Sequence, residues 1–156
     1  MRSEHATAAA SPGFALWRAT LRWQRLMVST LRPHGLTHVQ FVLLTSLWYL
    51  AEGSGVAVAT TTATPSQREL AEHAGTDAMM TSQVLRALER AGHVERTADA
   101  ADARVRRLAL TDSGRQLVAD ALPAVERADR EFFAGLPDAA AFAAGLQRLA
   151  GLDAGS

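Results

Sequence analysis

Met79, Ser82, Gln83, Arg86 and Arg90 stand at spacings of three, one, three and four. At about 100° per residue a helix carries them on one side, with Met80, Thr81, Val84, Leu85 and Leu88 on the other. The first set has the chemistry to read a base-pair edge. Glutamine pairs with adenine, arginine with guanine, serine with either or with phosphate, and Met79 can touch a thymine methyl. Any amphipathic surface helix has a polar side, so this face alone does not decide a function. What decides is a second constellation downstream: Asp102 and Arg104, two residues apart in an Ala/Asp tract between strand-like runs at 93–97 and 105–110. A hairpin of that kind can project Arg104 into a narrow minor groove, where negative potential is enhanced, with Asp102 fixing the guanidinium or pinning the tip. Arg106 and Arg107 point to opposite sides of a regular strand, so only one faces phosphate, and Arg106 is the expected one.

These side chains need a frame, and the preceding residues predict it. Ser66 and Glu69, after Pro65, have capping-box spacing and start a helix whose Leu70, Ala71 and Ala74 face inward. Gly75 ends it. Thr76 or Asp77 caps the next helix, which runs to about Ala91 before Gly92 stops it. Two helices joined by a tight turn, then strand, tip and strand, make a winged helix-turn-helix. One helix enters the major groove and the charged loop reaches the neighbouring minor groove.

The flanks read as helices. Phe14, Trp17, Leu21 and Val28 form an apolar stripe over Phe14 to Leu31, ended by Pro33 and Gly35. A second helix begins at Thr37, which has capping-box spacing with Gln40, and continues toward Glu52 and Gly53. It is apolar on nearly every side, so it is expected to be central and buried. The stretch GSGVAVATTTATP at 53–65 is a connector with a short strand at Val56 to Val58. From Thr111 a long helix runs through Leu117, Val118, Ala121, Leu122 and Val125 toward Phe132 and Phe133, kinked at Pro123. After Gly135 and Pro137 a last helix offers Phe142, Leu146 and Leu149. These ends carry more apolar surface than one small winged helix covers, and a second copy of the chain would cover it.

Composition narrows the function. The 156 residues contain no cysteine, which excludes disulfides, thiolate catalysis, cysteine redox sensing and cysteine-ligated zinc. The residues after Met1 lack the apolar core of a signal peptide. Phe41 to Ala51 is too short for a membrane span of about 20 residues, so a cytoplasmic protein is expected. Net charge is zero. Phosphate attraction is local, within a Debye length of roughly 8 to 10 Å, so neutrality of the whole chain does not veto it. Arg86, Arg90, Arg96, Arg104, Arg106 and Arg107 cluster in the winged unit, partly offset by Glu89, Glu95, Asp99 and Asp102. All 16 basic residues are arginine, a bias that GC-rich coding produces and that also suits groove insertion. Enzyme readings fare badly. His34 and His38 are four apart, but Pro33 and Gly35 interrupt the helix that would align them on a metal. His73 and His93 have no acid or nucleophile at motif spacing, and no glycine loop cradles phosphate. No cofactor or metal is expected.

LAEHAGTDAMMTSQVLRALERAGHVER followed by DAADARVRRLALTDSG resembles the winged-helix core of the MarR family. The telling pieces are Leu88-Glu89 with Gly92, Val94-Glu95-Arg96, Asp102-Ala103-Arg104, and Leu110-Thr111 with Gly114. Met79-Met80 departs from the short polar residues common at the start of the reading helix, and the Gly53 to Thr64 connector is longer than usual. The resemblance implies a mainly α fold with a small β wing (α+β), a winged helix-turn-helix joined to a helical dimerisation module. It also implies a homodimeric regulator of transcription, a repressor, acting on a pseudo-palindromic duplex. The expected division is a flexible N-terminus at 1–13, N-terminal helices at 14–52, a connector at 53–64, the DNA-binding unit at 65–111, C-terminal dimerisation helices at 112–150 and a tail at 151–156. Expected DNA contacts are Ser66, Gln67, Met79, Ser82, Gln83, Arg86, Arg90, Asp102, Arg104 and Arg106. A small aromatic or anionic effector is implied between the two modules, with Trp17 and His38 as its lining; no membrane partner is expected. The rival reading is a winged-helix dimer that has lost DNA binding and serves as a protein-interaction adaptor.

Overall fold

The computed structural model describes residues 4–52, 64–99, 102 and 104–152. Six helices and one hairpin follow in order: α1 (Pro12–Leu31), α2 (His38–Glu52), α3 (Gln67–Ala74), α4 (Ala78–Arg90), β1 (Val94–Ala98), β2 (Arg106–Leu110), α5 (Asp112–Phe133) and α6 (Ala139–Leu149). The fold is mainly α with a small β wing. Residues 53–63, including the strand expected at Val56 to Val58, lie outside the described residues.

Local signals set most boundaries. Ser11 caps α1, with Pro12 at its first position, where a missing N–H costs nothing. A 3-10 turn, Arg32–His34, follows, and Gly35 takes the left-handed conformation (φ 67°) that reverses the chain. The α2 capping box is formed: Thr37 N donates to Gln40 Oε1 (2.9 Å) and Gln40 N to Thr37 Oγ1 (3.3 Å). Phe41, Leu43, Leu44 and Leu47 of α2 are buried, as its all-round apolarity requires, while Tyr49 and Leu50 near its end are exposed. Thr45 is buried too, its hydroxyl satisfied by the Phe41 carbonyl (2.9 Å).

One continuous core joins every element except α6. Met27 and Leu31 of α1, the α2 leucines, Leu70, Leu85, Leu88, the wing residues Val94, Leu108 and Leu110, and Val118, Ala121, Val125 and Ala128 of α5 form a single cluster. Each fully buried leucine contributes roughly 1.5 to 3 kcal/mol. The apolar stripe expected on α1 is not the face that packs on this core. Phe14, Trp17 and Val28 are exposed, and α1 turns Trp23, Met27 and Leu31 inward instead. Helical period identifies an apolar face but not which chain covers it. α6 has no buried residue, and Phe142 and Leu149 are exposed. α5 runs on through Pro123 to Phe133.

β1 and β2 pair antiparallel with Val94 opposite Leu110 and Ala98 opposite Arg106. Both strands start one residue later than expected. His93 N still closes the end of α4 on Leu88 O (2.9 Å), and Val105 N folds back to Asp102 O (2.9 Å). The free edge of β2 is covered by the chain before α3, through Leu108 N to Pro65 O (2.9 Å) and a Ser66–Arg107 bridge.

Candidate nucleic-acid interface

The turn between α3 and α4 is built from capped ends. Ser66 Oγ accepts from Glu69 N (3.2 Å), and Glu69 Oε2 accepts from Ser66 N (2.6 Å). The Ser66 side chain and backbone N–H, with Arg107 nearby, hold the Glu69 carboxyl below its ordinary range. Gly75 is left-handed (φ 65°), and of the two candidate caps for α4 Asp77 is the one used, its Oδ1 accepting from Met80 N (2.8 Å). Thr76 instead braces the joint from within. Its hydroxyl meets that of Thr81 (2.8 Å), which is fully buried and also donates to Asp77 O (2.8 Å). The two helices are thereby locked where they meet.

α4 turns Thr81, Leu85 and Leu88 into the core, with Val84 half-buried. Met79, Gln83, Arg86 and Arg90 are exposed on the other side and Ser82 is half-buried there. Met80, expected inward, is 41% exposed, because burial on this helix begins only at Thr81. The outer arginines lie along their own helix, Arg86 Nη2 donating to Ser82 Oγ (3.0 Å) and Arg90 Nε to Arg86 O (3.2 Å).

At the wing tip Asp102 grips Arg104 in a two-point fork, Nε to Oδ1 (3.0 Å) and Nη2 to Oδ2 (3.1 Å), and accepts the Arg104 backbone N–H as well (3.0 Å). The side-chain bonds first, then the backbone bond, hold the Asp102 carboxyl below its ordinary range. The Arg104 side chain is 91% exposed. Arg106 is exposed, whereas Arg107 is spent inside the wing: its Nε donates to Asp99 Oδ2 (2.6 Å) and its Nη1 to Thr64 O (3.2 Å), with Glu69 Oε2 at 3.4 Å. Arg96 is also structural. It lies largely buried between Glu89, whose Oε2 is 3.2 Å from its Nε, and Gln67, whose Oε1 receives its Nη1 at 3.5 Å. The Glu89 contact is at ion-pair distance without hydrogen-bond alignment, so Nε and Nη2 are buried without a hydrogen-bond partner.

A groove of about 820 Å³ opens between α3, the start of α4 and the wing. Ser66, Gln67, Arg104 and Arg106 line it together, joined by Arg68, which the sequence alone does not single out, and by Thr76, expected there only as a helix cap. Met79, Ser82, Gln83, Arg86, Arg90 and Asp102 stand outside its lining. The sequence also hides Arg107 and Arg96 as anchors: Arg107 stands near Asp99 only once the hairpin register sets it across from Thr97, and the partners of Arg96, Glu89 and Gln67, lie on α4 and α3.

His38 and Trp17 are not brought together. His38, half-buried at the start of α2, meets the edge of the Trp23 ring (4.9 Å between centroids, 75°), and Trp23 Nε1 donates to Asp129 Oδ1 (2.7 Å). Burial pushes the His38 imidazole below its ordinary value, and the Asp129 carboxylate opposes that shift. Trp17 is 59% exposed on α1. Among the described residues no group of three or more His, Asp or Glu converges as a metal site, and no helix is long and apolar enough to cross a membrane.

The MarR family matches over residues 36–106. An uncharacterized HTH-type transcriptional regulator of Bacillus subtilis, YdcH, is 44% identical over 140 residues, 89% of each chain. CouR from Rhodococcus jostii RHA1, solved bound to p-coumaroyl-CoA, superposes with a TM-score of 0.79 at 26% identity, over 97% of this chain and 100% of that one. A structure of the transcriptional repressor CouR on a 23-mer DNA duplex gives 0.74 at 27% identity, over 97% and 99%. With the capped helix pair, the exposed outer face of α4 and the arginine-tipped wing all present, the chain belongs to the MarR family of winged helix-turn-helix transcriptional regulators.

Proposed function

We propose that the chain is a homodimeric repressor that reads a pseudo-palindromic operator and releases it when a small aromatic or anionic effector binds. The observation that carries this is the combination, on one continuous core, of an exposed α4 face bearing Gln83 and Arg86 with an Arg104 fork held clear of the protein. In this reading Gln83 and Arg86 contact bases, Ser82 and Arg90 flank them, and Arg104, aimed by Asp102, enters the minor groove. Ser66, Gln67 and Arg106, which share the groove beside the wing, take the intervening phosphates.

Residues 14–52 and 112–150 form the dimer module in this proposal, 65–111 form the reading unit, and 53–64 connect them. The exposed Phe14, Leu16, Trp17 and Val28 of α1 and Phe142 and Leu149 of α6 support it, since apolar surface of that extent is covered by a second copy. CouR's complexes with DNA and with p-coumaroyl-CoA support the effector half. An effector shifts the equilibrium only by its differential affinity for the two spacings of the reading helices.

Selection of bound sequences from a random duplex pool tests the reading. Enrichment of an inverted repeat with half-sites about one helical turn apart is expected, with affinity falling steeply as salt rises. A chain that enriches nothing at low ionic strength is an adaptor instead.

A further inference from the structure

The outer face of α4 changes character along its length. From Ser82 onward it is polar, with Gln83, Arg86 and Arg90 exposed. Its first turn is apolar: Ala78 is exposed, Met80 is 41% exposed and Met79 is 73% exposed. Among the large apolar side chains exposed in the described residues, only Leu149 exceeds Met79. Phe14, Leu16, Trp17 and Leu149 belong to the helices that the proposed dimer covers. Met79 and Met80 belong to the reading helix, which the dimer leaves free for DNA.

The first turn of a recognition helix is the part that reaches base edges. A thioether has no N–H or charge to offer a phosphate or a base heteroatom, and it is soft and unbranched enough to follow an apolar contour. The major groove presents one such contour, the C5 methyl of thymine.

We propose that Met79 is a specificity-determining residue that reads the C5 methyl of a thymine in each half-site. The inference rests on the operator-reading proposal above and adds the group recognised and its place. Met79 and Gln83 are one turn apart on the same face, about 6 Å along the helix at 1.5 Å per residue. Base pairs rise about 3.4 Å, so the methyl lies one to two steps from the base that Gln83 reads.

The test uses the whole protein on its selected operator, with each thymine replaced in turn by uracil, which removes only the methyl. One thymine per half-site, one or two steps from the Gln83 position, is expected to lose about three- to fivefold in affinity, the effect of one buried methyl. Met79→Ala should bind the thymine and uracil operators equally, while Met79→Leu, still apolar, should keep the discrimination. Met79→Gln, which keeps length but not apolarity, serves the same purpose should the alanine variant not fold. Wild-type binding indifferent to every uracil, or discrimination retained by Met79→Ala and Met79→Gln, overturns the inference and leaves operator reading intact. Failure to bind any duplex at low salt overturns the reading beneath it.

Discussion

Gly114, in the first turn of α5, packs so tightly on the backbone carbonyl of His93 that a Cβ at this position would overlap the carbonyl oxygen. That oxygen also accepts from Thr111 N (3.1 Å). Thr111 Oγ1 donates to Gly92 O (2.6 Å) and accepts from Gly114 N (3.1 Å), and His93 Nδ1 meets Ser113 Oγ (3.0 Å). The stop signal of the reading helix is thus clamped to the start of the helix that leads away toward Phe133. The start of α5 meets His93 through backbone contacts and Gly92 through the Thr111 hydroxyl.

Gly114→Ala should therefore destabilise the chain by about 1 to 3 kcal/mol, since the obstacle is backbone and cannot rotate away. A drop of several degrees in thermal midpoint is expected. An alanine variant melting with the wild type would mean that the clamp is loose.

Where recognition is local, the sequence was readable. The boxes at Thr37–Gln40 and Ser66–Glu69, the glycine stops at 35, 75 and 92, and the inner set Thr81, Leu85 and Leu88 depend on residues within a turn or two of each other. Contacts between distant residues were not readable. Trp23 and Asp129 are 106 positions apart, and nothing in either neighbourhood announces their bond. The α1 stripe marks a helix face without naming its cover: Phe14, Trp17 and Val28 repeat at helical period whether that cover comes from this chain or from another. Arg106 and Arg107 fell between these cases. Strand alternation separates them, but Asp99 and Glu69 decide which is occupied.

The unpaired α1 face gives a direct test of assembly. Trp17→Glu is expected to shift a dimer toward monomer in sedimentation at micromolar concentration while leaving helicity intact, because Trp17 is 59% exposed and outside the core of its own chain. A charge at a desolvated contact is costly. Undiminished dimerisation by this variant would remove the first half of α1 from the interface.

His38 makes stability depend on pH. Burial lowers its folded-state pKa below the ordinary 6.5, against the pull of Asp129, so between the two values the unfolded chain binds more protons than the folded one. The contribution is fully present above about pH 6.5 and is lost as pH falls through the folded value. His38→Phe, which keeps an aromatic edge for Trp23, should flatten this part of the profile when urea midpoints are compared between about pH 7.5 and about pH 5. An unchanged slope in the variant would assign the pH dependence to other groups.

Asp102 and Arg104 can be separated by a cycle of variants. Both stand at the solvated wing tip, so neither Arg104→Ala nor Asp102→Ala should move the melting temperature. Operator affinity should respond differently. Arg104→Ala is expected to lose roughly 1 to 3 kcal/mol, the range for an arginine read into a groove. Asp102→Ala leaves the guanidinium charge but releases its two-point hold, so entropy lost at binding rises and a smaller penalty follows. The carboxylate also repels phosphate, and removing it works in the opposite direction. If aiming dominates, Asp102→Ala weakens binding and adds nothing on an Arg104→Ala background. If repulsion dominates, it strengthens binding on both backgrounds. The bidentate geometry, together with the backbone N–H that fixes the carboxylate beside Arg104, favours aiming, and binding measured for the four proteins at one salt concentration decides between them.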